Sequence, residues 1–308
     1  MQTEILMSTF NGAPWLETML RSLLAQERDA FALRVRDDGS CDATWEMLND
    51  MAPAFGGRML LDPDRSRSGS AKASFARLLD RSEGETVLFA DQDDEWTPDH
   101  VGVLSGLIEG ERPDLPVFAF TDLVPVDQDL RPIAESFFAW KKTPPKVVGD
   151  LPQFLLANPI CGCAAAANRA CIKLGASMPV NDVAMHDWWL ALLAAAAGKV
   201  VWSDRATVRY RQHGGNASAQ RGGGMVEQAR GGARARMRRG LVVKARQANA
   251  VADRLLEKGV MGHPGAESAL RSLHHTLSRG AVGRRLGLAR GRYIYPDPGR
   301  AAAQMVFC

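Results

Sequence analysis

Short apolar runs alternate with longer amphipathic stretches through the first half of the chain. Glu4 to Ser8 has the length and apolar content of a strand, as do Ala32 to Arg36, Met59 to Leu61 and Glu85 to Ala90. Between these runs the period lengthens. Pro14 to Gln26 puts Trp15, Met19, Leu20, Leu23 and Leu24 on one helical face, with Pro14 near the start. Asp42 to Met51 reads as a second helix capped by Ser40 or Asp42, and Ala71 to Leu79 as a third. Thr97 is placed to cap a fourth, from Pro98 to about Ile108. Val117 to Val126 and Val200 to Ser203 read as strands, Arg205 to Tyr210 is strand-like, and His186 to Ala197 is an apolar helix. The stretch 139–150, with Lys141, Lys142, Pro144, Pro145 and Lys146, reads as a mobile loop. Such alternation predicts an α/β fold with a mostly parallel central sheet flanked by helices. Ligands of such sheets bind beyond the carboxyl ends of the strands.

Charge divides the chain in two. Residues 214–308 hold 17 Lys+Arg against 5 Asp+Glu, a balance of +12, so the remaining 213 residues carry −9 of the total +3. From Arg221 onward the composition shifts to Gly, Ala and Arg. We therefore expect a first domain over 1–218 and a basic C-terminal extension over 219–308, helical or partly disordered. The longest apolar run, Trp188 to Gly198, is far short of the roughly 20 residues a membrane helix needs. Ile5-Leu6-Met7 enters a strand with no basic region before it, so no signal peptide is expected. Of the five cysteines, Cys161 and Cys163 form a pair with no second pair to match. They read as reduced thiols of a cytoplasmic protein rather than as a zinc site.

Polar clusters fall where strands end. Asp37-Asp38-Gly39-Ser40 follows a strand; its residue types suit a turn with a helix cap, or a carboxylate that accepts the N3–H of uracil or thymine. Asp91-Gln92-Asp93-Asp94 crowds three carboxylates into four residues. Their mutual repulsion and desolvation are relieved by a hard cation, Mn²⁺ or Mg²⁺. Asp187, in His186-Asp187-Trp188-Trp189, suits either a favourable charge at a helix N-terminus or a general base. Arg211 and His213 can offer cationic donors, or one metal ligand, to a diphosphate.

In this order the motifs resemble glycosyltransferase family 2, with the GT-A nucleotide-diphospho-sugar transferase fold, over about residues 3–218. Met7-Ser8-Thr9-Phe10-Asn11-Gly12 resembles the first strand and nucleotide loop, and Asp37-Asp38-Gly39-Ser40 the base-binding turn. Ala90-Asp91-Gln92-Asp93-Asp94-Glu95-Trp96 resembles the DxD region. Tyr210-Arg211-Gln212-His213-Gly214-Gly215-Asn216 resembles the closing segment of the rhamnosyltransferase-like subgroup. Cys41 stands where Thr is usual, Ser74 where Asn is expected, and Arg67-Ser68-Gly69 replaces Asn-Leu-Gly.

The resemblance implies roles. Asp187 would be the catalytic base. Thr9, Asn11, Asp38, Lys72, Asp91 and Arg211 would bind the donor nucleotide. Asp93, Asp91 and His213 would hold Mn²⁺ or Mg²⁺. Gly162, Cys163, His186 and Trp188 would form the acceptor or sugar subsite, with Asn158 in the same loop. The implied reaction is metal-dependent, inverting transfer of a hexosyl or rhamnosyl group from a UDP- or dTDP-sugar. The acceptor would be a saccharide or lipid-linked intermediate of surface-polysaccharide or lipopolysaccharide synthesis. The basic extension suggests a peripheral site on the inner face of the cell membrane, against anionic lipid. Two rivals stand beside this reading. A metal-dependent nucleotidyl- or phosphotransferase is disfavoured because no Gly-Lys-Ser/Thr phosphate loop occurs. A nucleic-acid binder working through the tail is disfavoured because stacking aromatics are scarce there.

Overall fold

The computed structural model describes residues 3–214 and 233–307. The expected boundary at 218, and residues 215 and 216 of the closing motif, lie outside the described residues.

Eight strands form one sheet: β1 (Thr3–Thr9), β2 (Phe31–Asp37), β3 (Met59–Leu61), β4 (Thr86–Asp91), β5 (Glu95–Trp96), β6 (Val117–Val126), β7 (Ala165–Asn168) and β8 (Lys199–Arg211), in the order β3-β2-β1-β4-β7-β6-β8-β5. The β3-β2-β1-β4 half is parallel, and β6 pairs parallel to β8. β7 runs antiparallel to both β4 and β6, and β5 antiparallel to β8. Ile5, Leu6 and Met7 of β1 and Val87 to Ala90 of β4 are fully buried, as central strands covered on both faces require.

Helices α1 (Ala13–Leu24), α2 (Thr44–Met51), α3 (Ala71–Arg81) and α4 (His100–Glu109) alternate with the strands. Two starts differ from expectation. α2 begins at Thr44, because Asp42 accepts from the Thr44 and Ala13 amides while Ser40 donates to Asp37. α4 begins at His100, because the Thr97 hydroxyl is taken by Asp99 and Thr207. The predicted loop 139–150 is ordered instead. It holds most of α5 (Phe137–Lys141) and a 3-10 turn at Pro145–Gly149, and α6 (Leu151–Phe154) follows. Phe137, Phe138, Val147 and Val148 are buried, and the Asp122 carboxylate caps α5 by accepting from the Phe137 and Phe138 amides. The expected strands 200–203 and 205–210 are parts of one strand, β8.

α7 (Arg169–Gly175) leads to α8 (His186–Ala197), whose residues are nearly all buried. The C-terminal part is helical: α9 (Ala233–Glu257), α10 (Ala266–Ser278), α11 (Ala281–Arg290) and α12 (Pro298–Phe307). In α9, Leu241, Ala245, Ala248, Ala252 and Leu255 form a buried stripe at helical spacing. Each fully buried leucine contributes about 1.5–3 kcal/mol. Polar ties fix the docking. Arg254 donates to the carbonyls of Leu174 (3.0 Å) and Ser177 (2.8 Å), and Gln247 Oε1 accepts from the Ala184 amide (2.6 Å). The segment leading into α8 is thereby held from the C-terminal side. No helix among the described residues is long and apolar enough to cross a membrane.

Candidate active site

Parallel pairing aligns the carboxyl ends of the strands. Ser8 of β1 stands opposite Asp91 of β4, and Thr9 opposite Asp37 of β2. Beyond these ends lies a cavity of about 620 Å³, within the range that holds small-molecule ligands. Of the expected site residues it is lined by Asp38, Asp91, Asp93, Gly162, His186, Asp187 and Trp188, together with Asn158 of the same loop as Gly162.

The first wall comes from β1, β2 and the approach to α3. Asp38 Oδ1 accepts from Arg36 Nη1 (2.6 Å) and the Ser68 amide (2.6 Å). Burial would raise its pKa, but these bonds to Ser68 and Arg36 outweigh burial and hold it below the usual carboxylate range. Phe10 and Arg67 also face the cavity, with the Arg67 guanidinium 4.4 Å from the Phe10 ring centre. Gln92 clasps the backbone of Phe10 from both sides, at 2.9 and 3.0 Å, locking the loop after β1 to the acidic turn. Gly12 is required there, since a Cβ would sit 2.1 Å from the Gln92 amide oxygen.

The acidic turn is the electrostatic centre. Burial, then the charges of Asp93 and Asp187, push Asp91 up to about 7. Asp94 is fully buried and pushed well up for the same first reason; its Oδ1 accepts from the Arg211 amide (2.9 Å) while its Oδ2 has no partner. Oxygens of Asp91 and Asp94 lie with the Cys163 thiol within 4.8 Å of one another. Asp93 faces His213, with Nε2 2.7 Å from Oδ2. Crowded carboxylates, an orphaned carboxylate oxygen and a nearby imidazole fit a divalent cation with oxygen and nitrogen ligands.

The opposite wall is the start of α8. Asp187 is 6% exposed and its Oδ1 accepts from the Trp188 amide (2.6 Å). The Trp188 indole donates to the Phe154 carbonyl (3.2 Å), which locks the ring. His186 is stacked on Phe75 at 3.9 Å, and burial lowers its pKa to about 3, so it is neutral. Neither of its ring nitrogens has a partner. Gly162 allows this packing, because a Cβ there would stand 3.0 Å from His186 Nε2.

Six expected site residues lie outside the cavity lining. Thr9 is fully buried and donates to Asp37 (3.1 Å). Asn11, at φ 47°, accepts from the Cys41 amide. Lys72 donates to the Val183 carbonyl (3.0 Å). Arg211 donates to the Asp93 carbonyl (2.7 Å) and lies over Trp15. His213 is engaged with Asp93, and Cys163 is buried with its sulfur 3.5 Å from that of Cys161. Phe10, Gln92 and Tyr210 also line the cavity and stand inside the motifs singled out in the sequence, where no role was given to them; Lys141, in the predicted loop, and Arg300 line it too and were not expected there. Gln92 was legible within the acidic turn. Nothing in the sequence marked Arg300.

The profile of the family described as glycosyl transferase family 2 matches residues 4–174, more than half of the chain. The chain belongs to glycosyl transferase family 2. This glycosyltransferase is 25% identical over 228 residues to the dTDP-rhamnosyl transferase RfbG of Shigella flexneri, covering 68% of this chain and 72% of the relative. It is 24% identical over 227 residues to the glycosyltransferase alr2836 of Nostoc sp., covering 70% and 66%. Its fold resembles that of S. aureus TarS 1–349 in complex with UDP-GlcNAc (TM-score 0.57, 16% identity, 94% of this chain and 80% of that one). It also resembles the mannosyltransferase PcManGT of Pyrobaculum calidifontis in complex with GDP-Man and Mn²⁺ (TM-score 0.53, 18% identity, 99% and 78%). The fold is thus of the GT-A glycosyltransferase type, with a mixed central sheet.

Proposed function

We propose that this glycosyltransferase moves a sugar, with inversion, from a UDP- or dTDP-linked donor to an acceptor hydroxyl, and that it requires Mn²⁺ or Mg²⁺. One observation carries the reading: Asp91 and Asp93, at the end of β4, face the same cavity as Asp187, at the start of α8, closely enough for Asp187 to raise the pKa of Asp91. The nucleotide end of the donor lies by Asp38, Phe10 and Arg67. Asp91 and Asp93, with His213 beside Asp93, are the residues that would hold the cation. When bound, it supplies positive charge to the leaving diphosphate. Asp187 takes the proton of the acceptor hydroxyl. The freed oxygen attacks the anomeric carbon as the bond from that carbon to the diphosphate oxygen breaks. His186, Gly162 and Trp188 shape the space around the transferred sugar and the acceptor.

The RfbG relationship supports a deoxythymidine donor and a hexosyl or rhamnosyl group. Surface-polysaccharide or lipopolysaccharide synthesis, on a saccharide or lipid-linked acceptor, fits that donor class. We assign the catalytic domain to 1–218 and the basic extension to 219–308. The extension is basic and exposes Leu256, Met261, Val282 and Leu286 alongside its charges, which favours contact with an anionic membrane surface.

The test is a thermal-shift screen with Mn²⁺ and UDP-, dTDP- and GDP-sugars, followed by product analysis with the stabilising donor. Release of the free nucleoside diphosphate and a product of opposite anomeric configuration are expected. Release of pyrophosphate would establish a nucleotidyltransferase, and retained configuration would exclude the single displacement.

A further inference from the structure

We propose that the acceptor is anionic, and that Lys141 and Arg300, backed by Lys244, bind its phosphate or carboxylate group. The inference rests on the donor and base assignments above and adds the charge of the second substrate.

Lys141 ends α5 and Arg300 lies in the first turns of α12, yet both line the one cavity that holds Asp91, Asp93 and Asp187. Lys244 of α9 stands directly behind. Its ammonium is 5.9 Å from the centre of the Trp188 ring, itself part of the cavity wall, and donates to the Tyr295 hydroxyl at 2.5 Å. Among the described residues none of these three cations meets a carboxylate. Lys141 lies over the rings of Phe137 and Trp140, Lys244 over those of Trp188 and Tyr295, and the exposed Arg300 guanidinium makes no hydrogen bond to a described residue. Several other cations of the molecule are paired with carboxylates, as at Arg36–Asp38, Arg34–Glu4 and Arg209–Glu95.

Lys141 and Arg300 are exposed at the cavity mouth while Lys244 is partly buried behind them, and the positive charges repel one another. Burial, then the Arg300 charge, lowers the Lys244 pKa to about 7; burial and Arg300 also lower that of Lys141. An anion seated among them reverses both effects. Its position indicates which substrate it serves. Lys141 shares the cavity wall with Cys161, and the Lys244 ammonium lies 5.9 Å from the centre of the Trp188 ring. Cys161 and Trp188 adjoin Gly162 and Asp187, on the side where the acceptor hydroxyl must meet its base. The donor's nucleotide wall is built from other elements, around Asp38, Phe10 and Arg67. Phosphate suits a planar guanidinium flanked by a lysine, and so does a sugar carboxylate.

The experiment is calorimetry on the full chain saturated with Mn²⁺ and whichever of UDP, dTDP or GDP binds it, so that the donor subsite is filled. n-Decyl diphosphate, methyl glucuronide and neutral n-decyl glucoside are titrated in turn. At least one anionic probe is expected to bind well above the neutral one. Tighter binding of the diphosphate identifies a lipid phosphate as the group recognised; tighter binding of the glucuronide identifies an acidic sugar. Arg300→Gln and Lys141→Gln should each weaken that probe roughly tenfold, the scale of one charge-assisted contact. Arg300→Lys should recover part of the loss. Arg112→Gln removes the same charge from an exposed pair with Asp114 and should change nothing. The proposal is overturned if neither anion outbinds the neutral glucoside, or if Arg300→Gln weakens the nucleoside diphosphate rather than the probe. If no nucleoside diphosphate binds with metal, the donor assignment itself falls, and the anionic acceptor with it.

Discussion

His213 Nε2 lies 2.7 Å from Asp93 Oδ2, while the same imidazole stacks on Trp15 at 5.2 Å between ring centres. Trp15 in turn supports the Arg211 guanidinium, whose backbone N–H holds Asp94. The end of β8 is therefore folded back onto the acidic turn, with an aromatic side chain as the spacer. A neutral imidazole held this way can accept a cation together with Asp93, whereas a protonated one simply pairs with it.

From this follows the metal prediction. Asp93→Ala should abolish Mn²⁺-dependent binding of the nucleotide sugar, and Asp91→Ala should weaken it. His213→Gln, which keeps a polar side chain but loses the imidazole, should weaken it less than Asp93→Ala. Calorimetry with and without chelator reads all three. Equal donor affinity in Asp93→Ala, or no effect of chelator on the wild type, would refute the metal assignment.

Asp38 has a second task besides any contact with a base. Its partner Arg36 is fully buried, so removing the carboxylate leaves a buried guanidinium without its counter-charge. Losing one member of a buried pair costs about 3–5 kcal/mol. Asp38→Ala should lower the urea midpoint markedly in the absence of any ligand, and Asp38→Asn should lower it less because an acceptor oxygen remains. An unchanged midpoint in Asp38→Ala would show that Ser66 and Ser74, which also accept from Arg36, suffice.

Much of this was legible in the residues, for identifiable reasons. The runs at Ile5 and Leu88 are strands buried on both faces, so apolar continuity locates them, whereas β2 shows as buried Leu33 and Val35 alternating with the partly buried Ala32 and Arg34. α8 was legible because its apolar run is too long for a strand and lacks Gly or Pro within it. β7 was not, because Ala165, Ala166 and Ala167 have little strand preference. Their small side chains fit the space between β4 and β6, and that space exists only in three dimensions. Thr9 and Lys72, expected at the donor nucleotide, donate to Asp37 and to the Val183 carbonyl, and neither lines the cavity. Lys141 and Arg300 were out of reach of any local pattern, since only the docking of α12 brings them to one cavity.

Lys244 gives a pH prediction. The unfolded chain keeps this proton up to about 10.5, whereas the folded chain releases it near 7. Between those values the unfolded state binds more protons, so this group makes the fold more stable as pH rises. Buried Cys163 and Cys171 act oppositely once unfolded thiols ionise, so the useful window is about pH 7 to 8.5. Buried Asp91 and Asp94, whose carboxyls are pushed up in the fold, also oppose it, so the quantity to read is the difference: in urea unfolding across that window the change of stability with rising pH should be more positive in the wild type than in Lys244→Met. Identical slopes in the two proteins would show that Lys244 is protonated in the fold.

The catalytic base is the most exacting prediction, because two carboxylates compete for it within one short stretch. Asp182 is exposed in the turn before α8, and its amide donates to the Pro179 carbonyl. Asp187 is buried on the cavity wall, fixed by the Trp188 amide and by the helix that follows. A base must be held within hydrogen-bond reach of the proton it removes, and of the two only Asp187 lines the cavity in which the transfer is proposed to occur. Asp187→Asn keeps the shape and removes the basicity, so turnover should fall roughly 10²- to 10⁴-fold with donor affinity little changed. Asp182→Asn should leave both near wild type. His186→Ala should be milder than Asp187→Asn, since an imidazole whose pKa is lowered to about 3 is a poor base at neutral pH. Transfer rate and donor affinity, measured side by side for the three variants, decide the assignment. Full activity in Asp187→Asn would mean that the acceptor proton leaves by another route, and a dead Asp182→Asn would move the base into the turn.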